Sequence, residues 1–255
     1  MGKALIRGLI ASGIASGEQI LISSKSAASA QKAAEDSGAR AATTNAGAVS
    51  EANVVFLCVK PSQALEVVGE VAPQLKDKLL ISVVTGIRAT ALHNASGGNA
   101  RIIRTMPNTA VRLRKGVTAI APDKSSTGDD LKTALRLFNS VGTAVEVREE
   151  ELDAVTAVSG SGPAFALLML EALSHGGVEE GLGAGTARML AAGALAAAAA
   201  LVLETGESPE DLRAEITSPG GTTAAGLAVL AEAGFPTMVA GAVGAARRRA
   251  TELSS

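Results

Sequence analysis

Val54-Val55-Phe56-Leu57-Cys58-Val59 is an unbroken run of apolar side chains, half of them β-branched, and it stops at Lys60-Pro61. A strand without polar alternation has both faces covered, the pattern of a parallel sheet between layers of helix. Pro61 can start the next helix at its first position, where the missing N–H costs nothing. Lys60 then stands at the carboxyl end of a strand, the edge where doubly wound sheets hold their ligands. An ordinary capped loop explains the Lys-Pro pair equally well at this point.

Similar runs lie on either side: Gln19–Ile22, Leu79–Val84, Arg101–Arg104, Val117–Ile120 and Ala144–Val147, with helical stretches between them. Together they predict an α/β fold, a doubly wound Rossmann-type parallel sheet over residues 1–148. Val59-Lys60-Pro61, Val84-Thr85-Gly86 and Thr105–Thr109 should leave the same sheet edge, which makes them joint candidates for a cofactor site. The chain opens on a helix, Met1–Leu9, while a βαβ unit needs a strand before it. In dinucleotide-binding folds the turn between that strand and helix carries G-x-G-x-x-G. Gly2 fits the last glycine of that fingerprint, with the first strand and most of the turn, roughly 10–12 residues, lying ahead of it. The second strand ends in Ser23-Ser24-Lys25, where an NAD-preferring site places an acid. Two hydroxyls and a lysine suit a 2′-phosphate instead, which predicts NADPH with NADH as the alternative donor. Ser24 is also a candidate cap for a helix over 25–37.

From Glu149 the strand signals stop. Helices are predicted over 150–158, 163–180, 184–205, 208–216, 222–233 and 236–252, an all-α domain spanning 149–255. Their surfaces are rich in alanine, glycine and leucine, and helices apolar on most sides must be covered on most sides. A partner chain, hence a homodimer through this domain, is expected. Within it, Ser218-Pro219-Gly220-Gly221-Thr222-Thr223 opens the helix near Ala224. Two glycines and two threonines at a helix start present free N–H groups and hydroxyls to an anion. A small carboxylate is the functional reading; a glycine-permitted loop with a threonine cap is the plain one. Ser159–Ala164 offers close backbone approach, chiefly for helix packing.

Composition narrows the classes. A net charge of −2 and an aromatic content of 2%, with no Trp or Tyr, argue against nucleic acid. The single cysteine, Cys58, cannot form an internal disulfide, and with no signal segment ahead of the first helix a cytoplasmic location is expected. The longest apolar stretch, Met189–Leu203, is shorter than the roughly 20 residues of a membrane span, so no membrane partner is expected. His93 and His175 are the only histidines and there is no Cys/His cluster, which argues against a zinc site or a Ser-His-Asp triad, and no metal is expected.

Taken together, the motifs resemble those of the pyrroline-5-carboxylate reductase family. The resemblance rests on Phe56–Pro61, Met106-Pro107-Asn108-Thr109, Asp153–Phe165 and, most specifically, Asp211-Leu212-Arg213 followed by Thr217–Leu227. It implies a Rossmann domain, a helical dimerisation domain, often five dimers in a decamer, and hydride transfer from NAD(P)H to L-1-pyrroline-5-carboxylate, giving L-proline. By the same resemblance Ser23, Lys25, Asn45, Val59, Lys60 and Thr85 line the cofactor. Thr222 and Thr223 hold the substrate, with Glu149 near it. Glu215 is a departure, since the family more often has an amide there near the cofactor. On the residues themselves, Gly221 and Thr222 would anchor the carboxylate and Thr223 the imine nitrogen, as the catalytic contact. A related reductase for a hydroxy acid would want a lysine on helix 163–180, which has only Glu171, Ser174 and His175. A non-catalytic oligomer is the remaining alternative.

Overall fold

The computed structural model describes residues 1–254. It contains, in chain order, α1 (Gly2–Ala11), β1 (Leu21–Ile22), α2 (Ala27–Glu35), β2 (Arg40–Ala41), α3 (Asn45–Glu51) and β3 (Val54–Leu57). There follow α4 (Pro61–Glu70), β4 (Leu79–Ser82), α5 (Ala89–Ala95), β5 (Arg101–Pro107), β6 (Gly116–Pro122), α6 (Gly128–Asn139) and β7 (Gly142–Glu146). The remainder is helical: α7 (Leu152–Val155), a π-helical turn over Thr156–Gly160, α8 (Gly162–Glu179), α9 (Ala184–Thr205), α10 (Pro209–Glu215), α11 (Thr222–Glu232) and α12 (Phe235–Ser254). Packing divides the chain into a unit of Met1–Gly160 with Ala246–Ser255 and a unit of Ser161–Ala245.

In the first unit, β3 to β7 form a sheet in sequential order, and β1 pairs with β2 in a two-stranded sheet. Neighbours run parallel except β5 and β6, which are antiparallel. The continuous apolar runs behave as a doubly covered sheet demands. Val55, Leu57, Leu80 and Ile102 enter one core with Val68, Leu75 and Leu92. Their sequence neighbours Val54, Phe56, Leu79, Ile81 and Ile103 enter the other, with Leu5, Ile120 and Phe138. Period-two alternation thus feeds two cores from one strand. Phe56 and Phe138 meet edge to face, with ring centroids 6.1 Å apart.

Helix starts follow local chemistry. Pro61 is the first residue of α4, behind Lys60. Thr127 and Asp130 close a reciprocal capping box on α6. The sequence pattern puts the cap of the second helix at Ser24; in the structure Ser26 holds it, accepting the Ser29 amide at 3.2 Å. Three residues, Ser23, Ser24 and Lys25, separate strand and cap, two more than the pattern allowed for. β2 is absent from the sequence prediction as well, since two residues carry no periodicity.

In the second unit α8 and α9 pack as a hairpin, with Ala187 and Ala191 buried. A Cβ on Gly177 would stand 3.2 Å from that of Ala187, so the hairpin closes only over small residues. Leu167, Leu168, Met189, Leu190, Leu203 and Val229 are all exposed. The length argument from Met189–Leu203 needs correction. α9 has 22 residues and Glu149–Glu179 has 31, and both are long and apolar enough to cross a membrane by length and composition. The flanking Ala184–Arg188 and Glu204–Thr205 belong to the same helix, as the predicted span 184–205 has it, so the apolar stretch alone understates the length.

Candidate functional site

The site residues of the first unit sit where strands end. Ser23, Ser24 and Lys25 follow β1 and precede α2. Val59 and Lys60 follow β3, and Val84 and Thr85 follow β4. Because β3, β4 and β5 are parallel, Lys60, Thr85 and Asn108 leave one edge of the sheet. Gly2 is the first residue of α1, and a Cβ there would lie 3.2 Å from that of Cys58 just past β3. A side chain at Gly2 would crowd the strand end, so glycine eases this close approach of helix start and strand. Asn45 opens α3 and donates from Nδ2 to Glu70 at 3.0 Å.

The segment from Val83 to Arg88 is tied at several points. The Val84 amide donates to Ser82 Oγ at 3.2 Å, and the Thr105 hydroxyl donates to the Ser82 carbonyl at 3.1 Å. Thr85 Oγ1 donates to Met106 Sδ at 3.7 Å. Beyond it, the Ala89 amide at the head of α5 donates to Glu149 Oε1 at 2.7 Å. Arg104 Nη1 donates to the same oxygen at 2.9 Å. Arg104 is only 7% exposed, and a buried guanidinium needs such a partner. Glu149 is therefore engaged inside the first unit. Met106 falls within the Thr105–Thr109 candidate segment, whereas Arg104 carries no signal as a site residue in the motifs, although an arginine within an apolar strand run is itself a cue, since charge in a sheet core must be paired.

In the second unit the Ser218–Thr223 turn has a defined geometry. The Gly221 amide donates to the Ser218 carbonyl at 3.0 Å, closing a four-residue turn with Pro219 second and Gly220 third. Gly220 has φ +71°, the left-handed value that the third position of a type II turn requires. Gly221 is the N-cap of α11 and supplies no side-chain cap; a Cβ on it would collide with Ser218 Oγ. The first-turn amides of Thr222, Thr223 and Ala224 are thus left without a capping side chain, and both threonines are exposed. Such a helix start favours an anion. Glu215 is the last residue of α10 and is exposed.

The chain is similar to known proteins over its whole length. Residues 149–253 match the model of the pyrroline-5-carboxylate reductase dimerisation family, and residues 1–86 match the coenzyme F420-dependent NADP oxidoreductase family. A pyrroline-5-carboxylate reductase of Methanosarcina acetivorans is 39% identical over 254 residues, covering 99% of this chain and 94% of that protein. The solved pyrroline-5-carboxylate reductase of Coxiella burnetii superposes with a TM-score of 0.92 at 32% identity, over 100% of this chain and 95% of the other. The Plasmodium falciparum pyrroline carboxylate reductase, solved with NADP bound, gives 0.87 at 29% identity over 100% and 95%. An α/β unit that matches an NADP oxidoreductase family, followed by helices that match a dimerisation family, defines a nicotinamide-dependent oxidoreductase of the two-part kind. Within that class the chain belongs to the pyrroline-5-carboxylate reductase family.

Proposed function

We propose that the chain reduces L-1-pyrroline-5-carboxylate to L-proline, the last step of proline biosynthesis, in the cytoplasm. Residues 1–148 would form the dinucleotide-binding domain and 149–255 the helical substrate and oligomerisation domain, a division supported by the family match that begins at 149. The observation that carries the reading is the Ser218–Thr223 turn, whose glycines leave the start of α11 open to a carboxylate.

NADPH fits the first unit as its donor, with NADH as the alternative. The hydroxyls of Ser23 and Ser24 and the Lys25 ammonium are the right chemistry for a 2′-phosphate. Asn45, Val59, Lys60, Pro61, Val84 and Thr85 would line the rest, with Gly2 and Glu215 as further candidates. When bound, the reduced nicotinamide supplies the hydride that the imine carbon receives. The chain's own part is alignment. The first-turn amides from Thr222 onward hold the carboxylate, beside Gly221, whose own amide closes the turn onto the Ser218 carbonyl, and Thr223 Oγ1 meets the ring nitrogen. A cyclic imine is basic enough to take its proton from water, so no strong general acid is needed at that atom. Glu149, expected beside the substrate, would act at one remove from it.

The test is NADPH oxidation by the purified chain with pyrroline-5-carboxylate, with proline identified as product. Nucleotide binding without turnover would sink the proposal in favour of a non-catalytic oligomer. We further propose that the apolar faces of the helical domain pair with a second copy, and that five such dimers form a decamer.

A further inference from the structure

We propose that Glu149 is a positioning residue for the cofactor loop Val83–Arg88, acting through the Ala89 amide and itself held by Arg104. The inference rests on the reading of that loop as cofactor-lining. α5 starts with Arg88 as N-cap and no side-chain cap of its own. A serine or aspartate at that position would be the local solution. The first amide of α5 is met instead from 60 residues away, by the Glu149 carboxylate at 2.7 Å. That carboxylate is fixed in turn by Arg104 at 2.9 Å. The Arg104 Nε is buried without an acceptor among the described residues, so the guanidinium depends on Glu149.

The upstream half of the loop is held from the same strand. Thr85 Oγ1 donates to Met106 Sδ, and Met106 stands two residues from Arg104 on β5. Residues two apart on a strand share a face. One face of β5 therefore grips Thr85 directly and the far end of its loop through Glu149. A carboxylate whose Oε1 takes both the Ala89 amide and Arg104 does its work on the loop, not on the substrate.

Glu149→Ala and Glu149→Gln separate this role from others. NADPH affinity can be read from the nucleotide's own fluorescence, undisturbed because the chain has no Trp or Tyr. Glu149→Ala should raise the NADPH Kd about tenfold, with the KM for pyrroline-5-carboxylate changed by less than about twofold. Glu149→Gln keeps an oxygen for the Ala89 amide and should recover most of the affinity. If Glu149→Ala does not fold, Arg104→Lys carries the test. It keeps the charge, loses the planar fork, and should weaken NADPH several-fold while sparing the substrate KM. A raised substrate KM with unchanged NADPH Kd would overturn the proposal and make Glu149 a substrate contact. A lowered melting temperature with both constants unchanged would overturn it as plain scaffolding. Failure of the unsubstituted chain to bind NADPH would instead overturn the cofactor reading of the loop, and the positioning role with it.

Discussion

Thr223 lies on the first turn of α11, exposed, next to a cap that offers no side chain. Its hydroxyl can therefore serve a ligand without giving up a structural bond. Thr223→Ala should lower kcat by about 10²–10³, the scale for losing one preorganised hydrogen bond, with the urea midpoint unmoved. An undiminished turnover rate would remove Thr223 from the chemistry. Asp130 carries the opposite kind of role. Burial pushes its carboxyl up, but Arg101 Nε at 2.8 Å and the Thr127 amide and hydroxyl outweigh burial and hold it below the usual range. A carboxyl lowered on folding stabilises fully above its unfolded value, about 3.9, and loses that contribution as pH falls towards the lowered one. Asp130→Asn should cost about 1–3 kcal/mol at pH 7, and the gap to the parent chain should narrow in acid. Urea melts on both sides of the Asp range check this; a gap independent of pH would contradict it. The Ser218–Thr223 turn was legible in the sequence because its motif is local. The pairings of Arg104, Glu149 and Asp130 were not, because their partners lie 45, 60 and 29 residues away.

Among the elements, the turn before α11 depends on Gly220. Its φ of +71° is a conformation that alanine adopts at a cost of about 1–2 kcal/mol. Gly220→Ala should raise the KM for the carboxylate substrate more than it lowers the melting temperature, because the turn sits on the surface and aims the helix start. Equal NADPH and substrate constants in the variant would count against a substrate turn. α3 is held at its other end by Lys78, whose ammonium donates to the carbonyls of Val49, Ser50 and Ala52 at 2.6, 2.8 and 2.6 Å. These are the orphan carbonyls of a helix C-terminus, where a cation is also favoured by the dipole. Lys78→Met should cost about 1–3 kcal/mol in urea unfolding. Long strands and helices were readable since their periodicity spans many residues; β3, apolar at every position, announced a doubly covered sheet. The antiparallel turn from β5 into β6 was not readable, because strand direction leaves no trace in hydrophobic pattern. The α2 cap was misplaced for a related reason: Ser23, Ser24 and Ser26 are chemically equivalent, and only backbone geometry selects Ser26.

At the scale of the molecule, the imbalance between the two units decides what the chain needs. The first unit buries large side chains on both sides of its sheet. The helical unit buries little more than Ala187, Ala191 and Leu212 among its described residues, while Met189 and Leu203 are 75% and 77% exposed. Such faces need either lipid or protein. α9 is long and apolar enough for lipid by length and composition. Yet it is built of alanine and glycine more than leucine, which favours close helix-to-helix approach, and residues 149–253 match a dimerisation family. Obligate interfaces bury about 2,000 Å² or more and resemble a core cut in half. A carboxylate placed in that core would be desolvated without a partner and cost several kcal/mol per subunit. Met189→Glu with Leu203→Glu should therefore yield single chains by light scattering, while the unsubstituted chain assembles in buffer free of detergent. The α/β unit of the variant should still bind NADPH, since no described element of its sheet is touched. Assembly unchanged by both charges would place the interface elsewhere. An unsubstituted chain that sediments with vesicles and stays single in buffer would hand these helices to the lipid.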